Sequence, residues 1–298
     1  MREPARAVNL DDVVVDYGNA RALDGLDLTI PSRGVFGLLG RNGAGKTTTI
    51  RAILGLVSLT GGSVEVLGLG RDRIVDVRGR VAAVFSESGL LPTLTTGENL
   101  RIWGMMDGLG SSEACSAARS VLERMDVADL YNTKVTDLST GNARIAALAR
   151  AFMLDREMVI LDEPTASLDP VRADRVRKGI SRMSDQAQIM LSTHDLHEAE
   201  ELCDLVAIID RGRLVASGSP DDLRGEGNAF LVRTESGKVT YEGVNYAMDG
   251  SGYVRLSSDD APHEVLGKLL AEGNKVLEFR PEKRSLAEIF LELAGGGE

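Results

Sequence analysis

The chain has 298 residues, of which 43% are hydrophobic and 27% charged, so it can bury a globular core and has room for roughly two domains. Its 45 acidic and 34 basic residues give a net charge of -11, which would repel a nucleic acid backbone and an anionic lipid surface alike. Two distant cysteines exclude a disulfide framework, and no apolar run approaches the ~20 residues that cross a bilayer. We therefore expect a cytoplasmic protein that does not bind nucleic acid directly.

The first predicted elements are two strands, at residues 8–17 and 26–30. Tyr17 stands at the end of the first strand. An aromatic side chain at this position either stacks on an adenine ring or is an ordinary edge-strand tyrosine, and the position alone leaves both interpretations open.

A glycine-rich loop follows the strand-like run at residues 35–39 and precedes helical spacing at residues 50–56. It fits the pattern G-x-x-x-x-G-K-[ST], in which inward-facing backbone N–H groups and a helix N-terminus hold a polyphosphate. Lys46 would reach the outer phosphates, and the Thr47 hydroxyl would bind Mg²⁺. A glycine turn with a chance lysine is the alternative, but the flanking elements favour the phosphate loop. The predicted phosphate-binding residues are Gly40, Arg41, Asn42, Gly43, Ala44, Gly45, Lys46, Thr47 and Thr48.

The remainder of the first domain alternates strands with helices. Strands are predicted at residues 64–67, 81–85, 158–161, 188–192 and 205–209, with a helical stretch from about 95 to 151 and a helix opened by Pro170. Thr95 and Glu98 form a capping box at the start of the helical stretch. This order predicts an α/β domain with a mostly parallel sheet and a helical insertion.

The composition shifts toward turn residues and charge at about residues 218–227, which predicts a domain boundary. We predict a first domain at residues 1–227 and a small α+β domain at residues 228–298. The predicted strands of the second domain lie at residues 229–234, 238–241, 252–256 and 275–280, and its helices at residues 262–271 and 285–293.

Candidate catalytic groups follow two of the predicted strands. Asp162 and Glu163 end the strand at 158–161, where the first can hold Mg²⁺ and the second can polarise an attacking water. A helix N-terminal acid pair is the alternative. His194 follows the strand at 188–192, at the sheet edge where ligands collect, and is placed to hydrogen-bond a terminal phosphate. His197 and His263 are assigned to surface or packing roles.

Ser139 is a predicted helix cap that precedes an apolar helix reaching Phe152. The free N–H groups at that helix start form an anion site. Taken alone, this motif favours a plain capped helix.

Taken in order, these motifs resemble the nucleotide-binding domain of ABC transporters, over about residues 8–227. The resemblance implies a P-loop NTPase core with an antiparallel β subdomain and a helical insertion, and it implies ATP and Mg²⁺ as cofactors. It also implies that Tyr17 stacks on adenine, Asp162 is the Walker B acid, Glu163 is the catalytic base and His194 is the switch histidine.

The same resemblance implies a partner subunit. Ser139 and Gly141 match the signature motif that contacts ATP held by the opposite subunit, so a head-to-tail dimer with two shared sites is expected. The sequence leaves open whether that dimer is formed by two identical chains or by this chain and a homologue.

Two positions depart from the family pattern. Ser86 stands where the family usually has a metal-binding glutamine, and its shorter side chain makes the Mg²⁺ contact weaker or water-bridged. Asn142 replaces the usual glutamine of the signature. The backbone amides of the signature survive the change to Asn142, so contact with ATP is still expected, and retention of Glu163 favours an active site.

Residues 89–100 and 285–293 resemble the separate ATPases of exporters for drugs, antibiotics, ions or cell-surface lipids. The implied function is ATP-driven dimerisation that powers export through integral membrane permease subunits, which would hold the protein at the inner face of the cell membrane. The alternatives are a nucleotide-sensing regulatory subunit with little turnover, an importer ATPase, and an ABC ATPase with no transporter. The cargo is not readable from the sequence.

Overall fold

The computed structural model describes residues 6–77, 79–85, 89–224, 229–248, 250, 252–258, 260–282 and 285–295. The chain divides into two compact units, Met1–Pro220 and Asp221–Glu298. The first unit therefore ends slightly before the boundary that the composition indicates at residue 227. Each unit is described by itself below.

The first unit contains most of the strands and helices. Its strands are β1 (Arg6–Tyr17), β2 (Ala20–Pro31), β3 (Val35–Leu39), β4 (Gly61–Val66), β5 (Leu69–Gly70), β6 (Val81–Val84), β7 (Met158–Asp162), β8 (Gln188–Thr193), β9 (Leu205–Asp210) and β10 (Arg213–Gly218). Its helices are α1 (Lys46–Ile53), α2 (Ile74–Val77), α3 (Thr96–Met106), α4 (Ser111–Arg124), α5 (Thr140–Phe152), α6 (Pro170–Met183) and α7 (Leu196–Leu202), and α8 (Pro220–Arg224) lies at the boundary.

The central sheet has the strand order β10-β9-β3-β8-β7-β6 in the described part of the chain. All of its neighbouring strands are parallel except β9 and β10, which form a hairpin. Strands β3, β7 and β8 are buried along their whole length, which explains their continuous apolar runs. The predicted α/β fold is confirmed. The segments that follow β3, β7 and β8 meet at one sheet edge.

A second sheet, with the order β2-β1-β4-β5, is antiparallel throughout. Its buried side chains share one core with α1 and the central sheet. The sequence prediction for the second strand was too short. Strand β2 begins at Ala20 because Gly18, at φ +60°, turns the chain directly back onto β1.

The helical insertion between β6 and β7 contains α3, α4 and α5. The predicted capping box is present at the start of α3, where Thr95 and Glu98 satisfy each other's backbone N–H groups. Ser139 caps α5, as predicted, by accepting from the Asn142 N–H at 3.2 Å. The structure therefore places the signature motif at the start of a helix.

The second unit contains β11 (Ala229–Thr234), β12 (Lys238–Tyr241), β13 (Val244–Ala247), β14 (Val254–Ser257), α9 (Pro262–Ala271), β15 (Val276–Glu282) and α10 (Leu286–Gly295). Its sheet has the order β14-β11-β15, and β12 pairs with β13 in a hairpin. The rings of Phe230 and Phe279 stack with centroids 5.3 Å apart. The sequence prediction lacks β13, a short strand whose residues are all exposed.

Candidate active site

The loop between β3 and α1 depends on two of its glycines. Gly45 has φ +112°, and a side chain there would approach the Ala22 carbonyl oxygen to 2.9 Å. A side chain at Gly40 would come within 2.7 Å of the Ile209 carbonyl oxygen. The loop conformation therefore requires glycine at both positions, one for its backbone angle and the other for the close approach of β9.

Lys46 is the first residue of α1, and only 5% of its surface is exposed. Its ammonium donates to the carbonyl oxygens of Gly40 at 2.7 Å and Arg41 at 3.3 Å, and it lies 3.1 Å from Glu163 Oε1. A cavity of about 200 Å³ opens over this group. It is lined by Ala22, Arg41, Asn42, Gly43, Gly45, Lys46, Thr47, Thr48 and Glu163. A buried cation and a helix N-terminus thus face one small cavity, an arrangement that fits a phosphate group.

Asp162 ends β7 and lies between two hydroxyl groups. Thr47 Oγ1 donates to Asp162 Oδ2 at 3.1 Å, and Ser192 Oγ donates to Asp162 Oδ1 at 2.6 Å. A hydroxyl next to a carboxylate suits Mg²⁺, which proteins usually bind with one or two carboxylates together with phosphates and water. Within the described residues, no cluster of three or more His, Cys, Asp and Glu could hold a metal by itself. The predicted ligand Ser86 lies outside the described residues.

Glu163 stands at the centre of the site. Its Oε1 pairs with Lys46, and its Oε2 lies 2.8 Å from His194 Nδ1. Its backbone has φ +49°, and its N–H donates to the Ser192 carbonyl at 3.1 Å and to Ser192 Oγ at 3.0 Å. A left-handed backbone at a residue other than glycine costs ~1–3 kcal/mol and persists only where its surroundings fix it. The carboxylate is therefore held between the phosphate loop and the end of β8.

Two residues of this site have roles that the sequence reasoning missed. Arg144 is buried on α5 and donates to several backbone carbonyls next to Asp162 and Glu163. Burial lowers the pKa of its guanidinium, and the nearby carboxylates oppose that effect. Ser192 bridges Asp162 and the Glu163 backbone. The sequence did offer a signal for each of them. Arg144 is a charged residue within a mostly apolar helix segment, and Ser192 is a hydroxyl residue two positions before His194.

Three predicted site residues lie away from this cavity. Tyr17 is 46% exposed at the end of β1. Ser139 and Gly141 stand at the start of α5, and in the described part of the chain they are not among the residues that line the cavity. One chain thus brings together Lys46, Thr47, Asp162, Glu163 and His194, whereas the signature residues do not join them.

A glycine loop around a buried lysine, at the carboxyl edge of a mostly parallel sheet, defines the class of P-loop NTPases. The family profile described as ABC transporter matches residues 23–166. The "uncharacterized ABC transporter ATP-binding protein YhaQ" of Bacillus subtilis is 32% identical over 296 residues, which cover 97% of this chain and 98% of that relative. The chain therefore belongs to the ABC transporter family, and it is an ATP-hydrolysing, ATP-binding subunit of that family.

A second relative supports this assignment, and a solved structure supports the fold. The "Nod factor export ATP-binding protein I" of Cupriavidus pinatubonensis is 39% identical over 218 residues, which cover 72% of this chain and 67% of that protein. The solved structure of cbiO1 from Clostridium perfringens superposes with a TM-score of 0.68, at 24% identity, over 74% of this chain and 92% of that one. This structural likeness confirms the fold. Among the described residues, no helix combines the length and the apolar character needed to span a membrane.

Proposed function

We propose that this chain is the catalytic subunit of an ABC exporter, in which ATP-driven dimerisation moves separate permease subunits. The observation that carries the proposal is the position of Glu163, whose carboxylate lies 3.1 Å from Lys46 Nζ and 2.8 Å from His194 Nδ1. A carboxylate between a phosphate-binding lysine and a histidine is placed to activate water for phosphoryl transfer. Similarity to the Nod factor export ATP-binding protein supports the export direction.

In this proposal, the loop N–H groups and Lys46 hold the β- and γ-phosphates of ATP. Thr47 and Asp162 hold Mg²⁺, which when bound neutralises charge that develops on the phosphates. Glu163 accepts the proton of the attacking water, and His194 hydrogen-bonds the γ-phosphate. Tyr17 stacks on the adenine. The contact between His194 and Glu163 aligns the two groups before the reaction.

The second subunit completes each site. Ser139 and Gly141 lie at the N-terminus of α5, where free backbone N–H groups favour an anion. In a head-to-tail dimer, this helix end covers the γ-phosphate of the ATP that the other subunit holds. Because ATP binds the closed dimer on two surfaces, it shifts the population toward closure. The partner is either a second copy or a homologue.

An apolar groove beside Phe85 is the proposed permease contact. It is lined by Ile53, Leu54, Leu56, Val66, Ile74, Val77, Val81, Ala83 and Phe85. Leu56, on its rim, is 61% exposed, which is high for a large apolar side chain. The groove is lined by Phe85, which directly follows β6, the strand that precedes the helical insertion. A docked permease helix would therefore sense movement of the insertion relative to the central sheet. Docking would hold the protein at the inner face of the cell membrane.

The test compares the wild-type protein with Glu163→Gln, alone and with its permease. We expect Glu163→Gln to lower the steady-state ATPase rate by about 10²–10⁴-fold, which is the usual contribution of a general base, and to form an ATP-dependent dimer in sedimentation. A variant that hydrolyses ATP at the wild-type rate would contradict the catalytic role. A regulatory subunit would show little turnover in either form.

The permease contact and the direction of transport need separate measurements. Leu56→Asp should abolish co-purification with the permease but retain the ATPase activity of the isolated protein. The control Leu277→Asp, at an exposed apolar position of the second unit, should retain both. Export predicts ATP-dependent accumulation of the cargo inside inside-out vesicles that contain the complex. Accumulation in right-side-out vesicles would indicate an importer.

A further inference from the structure

Arg144 occupies the space between α5 and the ends of two central strands. Its guanidinium donates at 2.6 Å to the carbonyl oxygen of Phe85, the residue that directly follows β6. It also donates to the carbonyls of Asp162 at 2.8 Å, Glu163 at 2.7 Å and Pro164 at 3.0 Å, which follow one another at the end of β7. One side chain thus holds three consecutive carbonyls around the candidate catalytic residue.

The backbone that follows β7 is strained, so it needs hydrogen bonds that hold it in place. Glu163 has φ +49° and Ser167 has φ +63°, so the chain leaves β7 through conformations that residues other than glycine rarely adopt. Arginine can hold such a segment because its N–H donors form a rigid planar fork, whereas lysine presents one compact ammonium. Arg144 is only 8% exposed, so its charge is stabilised mainly by these carbonyls and by the carboxylates nearby.

We propose that Arg144 is a positioning residue for ATP hydrolysis. By holding the backbone carbonyls of residues 162–164, it keeps the Glu163 carboxylate between Lys46 and His194. Because these hydrogen bonds hold the backbone around Glu163, Arg144 acts on the reaction through Glu163 rather than on the nucleotide. The inference rests on the proposed catalytic role of Glu163.

The first test separates the rate of hydrolysis from nucleotide affinity. Arg144→Lys should lower kcat by about 10-fold and Arg144→Met by about 100-fold, the range that a 1 Å misplacement of a reacting group can cost. The KM for ATP should change less than about threefold, because the phosphate loop is untouched. Arg150→Lys is the matched control, since Arg150 is a half-buried arginine of the same helix that lies over the Trp103 ring, 4.5 Å from its centroid. It should keep kcat within about twofold.

The second test asks whether Arg144 acts through Glu163. The Glu163→Gln, Arg144→Met double variant should hydrolyse ATP at the residual rate of Glu163→Gln alone, because residues that act as a unit are not additive. Circular dichroism and thermal melting establish that each variant is folded. If Arg144→Met does not fold, the same comparison is made with Arg144→Lys.

Three results would overturn the proposal. They are wild-type kcat in folded Arg144→Met, a loss of ATP affinity that parallels the loss of kcat, and an Arg144→Met effect of the same size with and without Glu163. A Glu163→Gln variant with the wild-type rate would instead overturn the proposed catalysis itself, and it is measured first. The experiments therefore distinguish a wrong positioning role for Arg144 from a wrong catalytic role for Glu163.

Discussion

Lys46 and Glu163 form an ion pair across the candidate site, with Nζ and Oε1 3.1 Å apart. The lysine side chain is 5% exposed and the glutamate side chain 21% exposed, so neither charge is well solvated by water. The pair joins the phosphate loop to the end of β7. Because removing one member of a poorly solvated pair leaves the other without its counter-charge, substitutions at either residue disturb both.

Lys46→Ala should abolish productive ATP binding. The change removes the cation that faces the cavity and also frees Glu163 to move, so we expect the ATPase rate to fall by about 10²–10³-fold, as when one preorganised donor is lost. Titration calorimetry with ATP and a coupled ATPase assay measure the two effects. Arg51→Ala, at an exposed position of the same helix, is the control. Unchanged affinity and rate in Lys46→Ala would remove the phosphate-cradle assignment.

Ser192→Ala should weaken the binding of Mg²⁺ and destabilise the first unit. Ser192 is fully buried and supports both Asp162 and the Glu163 N–H. We expect the Mg²⁺ concentration for half-maximal activity to rise and the free energy of unfolding to fall by ~1–3 kcal/mol, the cost of leaving buried polar groups unpaired. A magnesium titration of the ATPase rate and denaturant unfolding test this. An unchanged magnesium dependence would argue against Asp162 as a metal ligand.

His194→Ala should slow hydrolysis while leaving ATP binding nearly intact. The imidazole contacts Glu163 Oε2 at 2.8 Å, and its loss removes one of the groups that fix the carboxylate. We expect a fall in kcat of about 10²-fold, at the lower end of the range for an acid–base group. His197→Ala is the matched control, because His197 lies on α7 with 78% of its side chain exposed. Equal rates for the two variants would contradict the role of His194.

The sequence predicted those site residues whose position follows from the order of strands and loops along the chain. The glycine loop, Asp162, Glu163 and His194 each follow a buried parallel strand, and parallel strands bring such segments to one edge. Arg144 was missed because a side chain that reaches backbone carbonyls leaves no spacing pattern in the sequence. The start of β2 and the exposed strand β13 were missed for a different reason, because neither segment has a run of buried apolar residues.

Glu198 was also not singled out, although it is fully buried on α7, close to His194 in the chain. Burial is the main cause that raises the pKa of its carboxyl above the ordinary value of 4.5, and Asp195 adds to that effect. The Thr193 and Thr165 hydroxyls and Arg177 oppose it. Neither carboxylate oxygen makes a hydrogen bond of standard geometry to another described residue. Asp195, Arg177, Arg144 and Cys203 are the ionisable groups that interact with it.

Glu198→Gln should therefore stabilise the protein at neutral pH but not in acid. The folded protein holds the Glu198 proton more tightly than the unfolded chain does, so ionisation favours unfolding once the pH rises above about 4.5, the ordinary glutamate value. Below that pH both states are protonated, and the penalty vanishes. Thermal melting of the variant and the wild type across the pH range measures the difference, with Glu123→Gln at an exposed position of α4 as the control. A stabilisation that does not change with pH would show that packing, rather than the buried charge, is responsible.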